Sequence, residues 1–189
     1  MKRGEIWYFD KPGPENTQAC LELLEKGVNE GYRHLVVAST TGDSGAQAAR
    51  RLAGRNVNLV VVGHCVGFKG PNIDEFLDEH YQEITRLGGK VLKATILTHS
   101  LDTAIADQFK GSAPTLLIAN TLRRLGQGLK VCCEIVMEAV DAGLIPEGEE
   151  VVAAAGTARG WDTVSIIKSA ASKRFLNLAV LEIWAKPRG

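Results

Sequence analysis

The chain has 189 residues, 45% hydrophobic and 23% charged, with 22 basic and 22 acidic side chains. That length and balance describe one globular domain over residues 1–189 and exclude a disordered chain. A formal net charge of zero gives no electrostatic footprint for nucleic acid or anionic lipid, so neither is an expected partner.

The opening "MKRGEIWYFDKPG" has a basic start but no apolar core, so it does not read as a signal peptide. No stretch is long and apolar enough to span a bilayer, and the expected location is the cytoplasm. "EIWYF" predicts a short strand. In "PGPENT", Asn16 is placed to cap the first helix. Asn16 and Thr17 are also candidate ligand contacts if that helix start faces a crevice. The helix itself follows from Cys20, Leu23, Leu24, Gly27 and Val28 on one face, with a stop near Gly31.

A strand is predicted over residues 35–38 and a helix over 44–53. Between them lie Ser39, Thr40, Thr41, Gly42, Asp43, Ser44 and Gly45. Glycines let a backbone approach a ligand closely, hydroxyls donate hydrogen bonds, and the helix points its free amides and positive dipole end at the loop. Together these make an oxyanion site that needs no lysine. The spacing is neither GxxxxGK[ST] nor GxGxxG, so an ATP-hydrolysing loop and a dinucleotide fingerprint are both excluded. "STTGDS" resembles the flavodoxin loop that holds the phosphate of FMN. The competing reading is a capped turn with Asp43 or Ser44 as N-cap. Asp43 would repel a phosphate unless its carboxylate points away.

A third strand, over 59–62, leads into "GHCVGFKGPN". There His64 is a candidate hydrogen-bonding residue and Phe68 a candidate stacking residue, against a purely structural histidine as the alternative. Asn72 and Glu75 form a capping-box pattern for a helix carrying Ile73, Phe76, Leu77, Tyr81, Ile84 and Leu87, stopped by Gly88. A strand over 91–95 and helices over 101–109 and 116–125 follow. From Leu129, a helix with Cys132, Cys133, Val136, Met137 and Val140 on its apolar face ends at Gly143. Cys20, Cys132 and Cys133 read as buried small hydrophobes, and Cys65 as the accessible thiol. His64, Cys65 and His99 show no metal-ligand spacing, so no metal is expected.

The next strand, over 151–155, ends in a second polar loop with Gly156, Thr157, Arg159, Gly160, Asp162 and Thr163. Arg159 offers a forked contact to phosphate. Trp161 either lies over a planar ring or packs partly exposed. "FLNLAVLEIWAKP" predicts a final strand. Strands alternating with helices argue for parallel βαβ units, so the expected fold is a three-layer αβα sandwich. Its sheet is mostly parallel, with mixed edge strands. In such a sheet ligands sit beyond the carboxyl ends of the strands, where the two polar loops fall.

In order, "VVASTTGDSGAQAARRL" and "EAVDAGLIPEGEEVVAAAGTARGWDTVSIIK" resemble the C-terminal α/β domain of pyruvate kinase. "FDKPGPENT" and "GLKVC" also fit the small stand-alone prokaryotic relatives of that domain. In pyruvate kinases the first loop can hold a sugar-phosphate effector. The resemblance therefore implies that Ser39, Thr40, Thr41, Gly42 and Ser44 meet a phosphate, with residues 156–163 as the opposing effector-type loop. The stand-alone group resembles proteins that can hold FMN. Pyruvate kinase activity is not implied, because the catalytic barrel has no counterpart in the sequence. The expected ligand is a phosphorylated small molecule, with FMN as the first choice. The alternatives are a regulatory domain sensing a sugar phosphate or nucleotide, and a flavin-dependent enzyme. No nucleophile–base pair identifies a catalytic residue, and assembly into a homo-oligomer is left open.

Overall fold

Short valine- and alanine-rich runs alternate with helices along the chain, whose computed structural model describes residues 3–189. The elements are β1 (Trp7–Phe9), α1 (Thr17–Asn29), β2 (His34–Ala38), α2 (Asp43–Arg51), β3 (Asn58–His64), α3 (Asp78–Arg86) and β4 (Lys90–Ala94), followed by α4 (Leu101–Phe109), α5 (Pro114–Arg123), α6 (Gln127–Asp141), β5 (Glu150–Ala155), β6 (Thr163–Lys168) and β7 (Ala179–Pro187). The strands form one sheet in the order β1-β7-β6-β5-β2-β3-β4. β5, β2, β3 and β4 are mutually parallel. β6 runs antiparallel to both β5 and β7. The first strand, β1, adds to β7 in parallel at the edge.

Both faces are covered, which is why the central strands read as unbroken apolar runs. Side chains alternate across a strand. Leu35 and Val37 of β2 join Cys20 and Leu24 of α1, Ala46 and Ala49 of α2, and Ile84 of α3 in one core. Val36, between them, joins Cys132, Val136 and Ala139 of α6 in the other. The three-layer arrangement and the mixed edge are thus as the sequence predicts. Among the described residues, no helix is long and apolar enough to cross a membrane.

Two expectations are corrected here. The helix predicted from Asn72 begins at Asp78. Residues 65–77 form a loop, with Asn72 in a left-handed conformation at φ 58° and Phe76 turned in under Gly42 and Gly63. Glu75 pairs with His64 instead of closing a capping box. Asn16 occupies the position before α1, but its side chain does not cap that helix. Its amide donates back to the carbonyls of Lys11 and Gly13, bracing the N-terminal loop.

The cysteines divide by depth. Cys20, Cys132 and Cys133 are buried, while Cys65 is half-buried in the loop after β3. Burial pushes the Cys20 and Cys132 thiols well up, and that of Cys133 up to about 12. Since the thiolate is the nucleophile, Cys65 should react first with a thiol reagent in the native protein. The others should wait for unfolding. Mass mapping after a brief iodoacetamide pulse checks this, and early modification of Cys132 or Cys133 would contradict the packing of α6.

Candidate functional site

A cavity of about 750 Å³ opens at the carboxyl ends of the parallel strands. Its four main walls are the β2–α2 loop, the β3–α3 loop, the loop after β5 and one face of α6, and Thr17 and Gln18 of α1, Ile96 and His99 after β4, and Arg123 of α5 add to the lining.

The β2–α2 loop turns at Gly42, which holds φ 93° at the N-cap of α2. A side chain there would strike Phe76 and His80, so glycine is required by packing as well as by the turn. Capping comes from upstream rather than from Asp43 or Ser44. Ser39 Oγ accepts the Gly45 N–H at 3.2 Å and the Ser44 hydroxyl at 3.0 Å. Those two hydroxyls therefore brace the loop from within. Thr40 and Thr41 are half-buried and line the cavity. The Asp43 carboxylate accepts from Gln47 one turn along α2, at 3.0 Å. Asp43 and Gln47 both line the cavity, so the bond engages one carboxylate oxygen at its edge.

The loop after β5 is tied from beneath. Trp161 is fully buried, and its indole N–H donates to the Ala38 carbonyl at 2.7 Å. It therefore neither stacks on a ligand nor sits half-exposed; it joins the two polar loops. Asp162, also fully buried, accepts from the N–H groups of Gly13 and Thr157 and from the Thr163 hydroxyl. Asp162 and Thr163 thus face the interior. Gly160 has φ 67° and sits so close to Pro14 and Thr17 that a Cβ would overlap them. Thr17 Oγ1 accepts the Trp161 N–H at 3.0 Å. With this underside fixed, Arg159 stands exposed at the rim.

On the third wall, His64 Nδ1 lies 3.0 Å from the Glu75 carboxylate. Its ring packs 4.4 Å from Phe68, centroid to centroid, at a tilt of 49°. Val62, Leu77 and Ile96 add apolar surface on this side, and Val131 and Ile135 add it from α6.

The fourth wall is one the sequence reasoning passed over. Lys130, Glu134 and Glu138 recur every four residues along α6 and are 2%, 4% and 7% exposed. Lys130 Nζ donates to Glu134. The other Glu134 oxygen accepts the Thr98 N–H at 3.1 Å and the Thr98 hydroxyl. His99 Nε2 accepts from the Arg123 guanidinium at 2.7 Å. Burial lowers the Lys130 amine below the ordinary lysine value, and Glu134 restores part of it. Burial also lowers His99, helped by Lys130 and Arg123. Glu138 is raised to about 8, first by burial and then by the Glu134 charge. The signal was the fourfold spacing of charges, which on most helices marks a solvated face.

Of the residues singled out in the sequence, Thr17, Ser39, Thr40, Thr41, Asp43, Ser44, His64, Phe68, Gly156, Arg159 and Gly160 line this one cavity. Asn16, Gly42, Thr157, Asp162 and Thr163 do not line it; they support the loops that do.

No family model matches the sequence. Among solved structures, a pyruvate kinase from Cryptosporidium parvum aligns with 85% of this chain at 11% identity and a TM-score of 0.41. The Cryptosporidium parvum enzyme in complex with ADP aligns with 86% of it, again at 11% identity and a TM-score of 0.41. O-ureido-L-serine synthase aligns over 59% at 17% identity, with a TM-score of 0.32. The chain spans about a quarter of the length of those pyruvate kinases and 36% of the synthase.

Proposed function

We propose that this protein binds a phosphorylated small molecule across the carboxyl ends of its parallel strands, with FMN as the first candidate. The observation that carries this reading is the Thr40–Thr41 edge of the β2–α2 loop, which fronts the cavity while Ser39 holds the α2 start in place. Threonine hydroxyls beside a helix N-terminus suit an oxyanion. The apolar wall of Val62, Phe68, Leu77 and Ile96 suits a planar ring, and Arg159 across the mouth balances the phosphate charge.

The test is titration with FMN, followed by flavin fluorescence, in wild type and Arg159→Ala. The variant is expected to bind more weakly. Raised salt should weaken wild type more than the variant, because screening removes what the substitution has already removed. Arg159→Lys should recover only part of the affinity, a point charge replacing a fork. Equal affinity in wild type and Arg159→Ala would remove this loop from the site.

A second reading, a sugar phosphate held by the same loop, is favoured by the charged wall of α6. Lys130, already paired with Glu134, and Glu138 both border the cavity, where each can take a further hydrogen-bond partner from a ligand. A polyhydroxylated ligand supplies one. Thermal stabilisation by a sugar phosphate but not by FMN would select this reading.

A further inference from the structure

We propose that Lys130 is an imine-forming amine that captures the carbonyl carbon of an aldehyde admitted to the cavity, with Glu134 and Glu138 moving the protons. The inference goes beyond the phosphate reading and does not depend on which anion the Thr40–Thr41 edge accepts.

The geometry is unusual for a lysine. Its side chain is almost completely withdrawn from water, yet it borders the cavity. It has a carboxylate in direct contact and a second acidic group one turn further along the same helix. A lysine that only stabilised the fold would need one carboxylate and no open space beside it. An amine reacts with a carbonyl only in its neutral form, and a desolvated lysine reaches that form more readily than an exposed one. The downward shift at Lys130 and the protonated state of Glu138 near neutrality agree with those needs.

The step balances. The Lys130 nitrogen forms a bond to the aldehyde carbon and the C=O π bond opens. One amine proton passes through the Glu134 carboxylate to the former carbonyl oxygen. Glu138 gives that oxygen a second proton, and the oxygen leaves as water. An iminium remains on Lys130, its positive charge matched by the new Glu138 carboxylate. Neither an oxidant nor a reductant is consumed.

The intact protein would be incubated with glyceraldehyde 3-phosphate or with glyceraldehyde, each with cyanoborohydride, which reduces the iminium to a stable amine. Peptide mass mapping then locates the adduct. The expected result is labelling of Lys130 about tenfold or more above the exposed lysines Lys26 and Lys173. The adduct at that position should vanish in Lys130→Met. Because Lys130→Met leaves Glu134 buried without its cation, the double variant Lys130→Met with Glu134→Gln provides a second loss-of-label control, with its fold checked by circular dichroism. Preference for the phosphorylated probe would support both this inference and the phosphate reading. Equal labelling of Lys130 by both probes would uphold this inference and count against the phosphate reading. Adducts on Lys26 and Lys173 with none on Lys130 would overturn the inference, whatever the fate of the phosphate loop.

Discussion

Replacing Trp161 by alanine is expected to cost about 3–5 kcal/mol of stability, the range for removing a large aromatic from a packed core. The ring is fully buried in the cluster that also holds Leu24, Val37 and Ala154. Its loss would open a cavity between α1 and the sheet. It would also leave the Ala38 carbonyl without the indole donor that reaches it at 2.7 Å. For a domain of this size the melting temperature should fall by roughly 6–20 °C. Trp161→Phe keeps most of the volume and gives up only the hydrogen bond, so its cost should be about 1–2 kcal/mol. Urea unfolding followed by circular dichroism measures all three proteins. A Trp161→Ala protein as stable as wild type would mean that the ring is not a core residue. It would also reopen the stacking role that its burial rules out.

Trp161 shows where sequence reasoning loses its grip. The strand, the glycines and the polar residues around it were legible, because each obeys a local rule of spacing or conformation. Which way one aromatic points is set by tertiary packing. The β5–β6 hairpin folds its loop back over the β2 end, and that pairing joins residues far apart in sequence. Asp162 teaches the same lesson with opposite chemistry. Its carboxylate looked like a ligand group, yet its partners are Gly13, Thr157 and Thr163. A buried carboxylate has to find donors, and here backbone amides supply two of them.

The β3–α3 segment failed for a different reason. Ile73, Phe76 and Leu77 are spaced as on a helix, and the capping pattern at Asn72 reinforced it. Phe76 is buried, but under Gly42 and Gly63 rather than along a helix face. Its amide bonds the Asp74 carboxylate two residues back, at 3.0 Å. The Leu77 amide bonds the Thr41 carbonyl at 3.1 Å. The segment is thus spent on building a cavity wall, and its irregular backbone follows from that use. α6 is the converse case. Its apolar face is legible from the spacing of Cys132, Cys133, Val136 and Met137, whereas nothing in the sequence singles out the face carrying Lys130, Glu134 and Glu138 as a buried one. Helix α5 and the Thr98–His99 turn pack on α6, and the turn meets Glu134 and Lys130 directly, withdrawing this face from water.

The second large effect concerns the phosphate edge. Thr40→Ala combined with Thr41→Ala should weaken FMN binding while leaving the fold intact, since both side chains are half-buried at the cavity rather than in the core. Each hydroxyl lost from a charged phosphate should cost about 1.5–3 kcal/mol, so even one such contact amounts to a ten- to hundredfold loss in affinity, roughly. Ser39 and Ser44 are the wrong positions for this test, because their hydroxyls brace the start of α2. Riboflavin, which shares the ring and lacks the phosphate, separates the two contributions. It should bind wild type and the double variant alike, through the apolar wall that neither substitution touches. If both flavins lose affinity equally, the loop acts by shaping the cavity and not by reading phosphate. If neither loses any, the oxyanion sits elsewhere. A drop confined to FMN, with the unfolding midpoint unchanged, assigns the phosphate to Thr40 and Thr41.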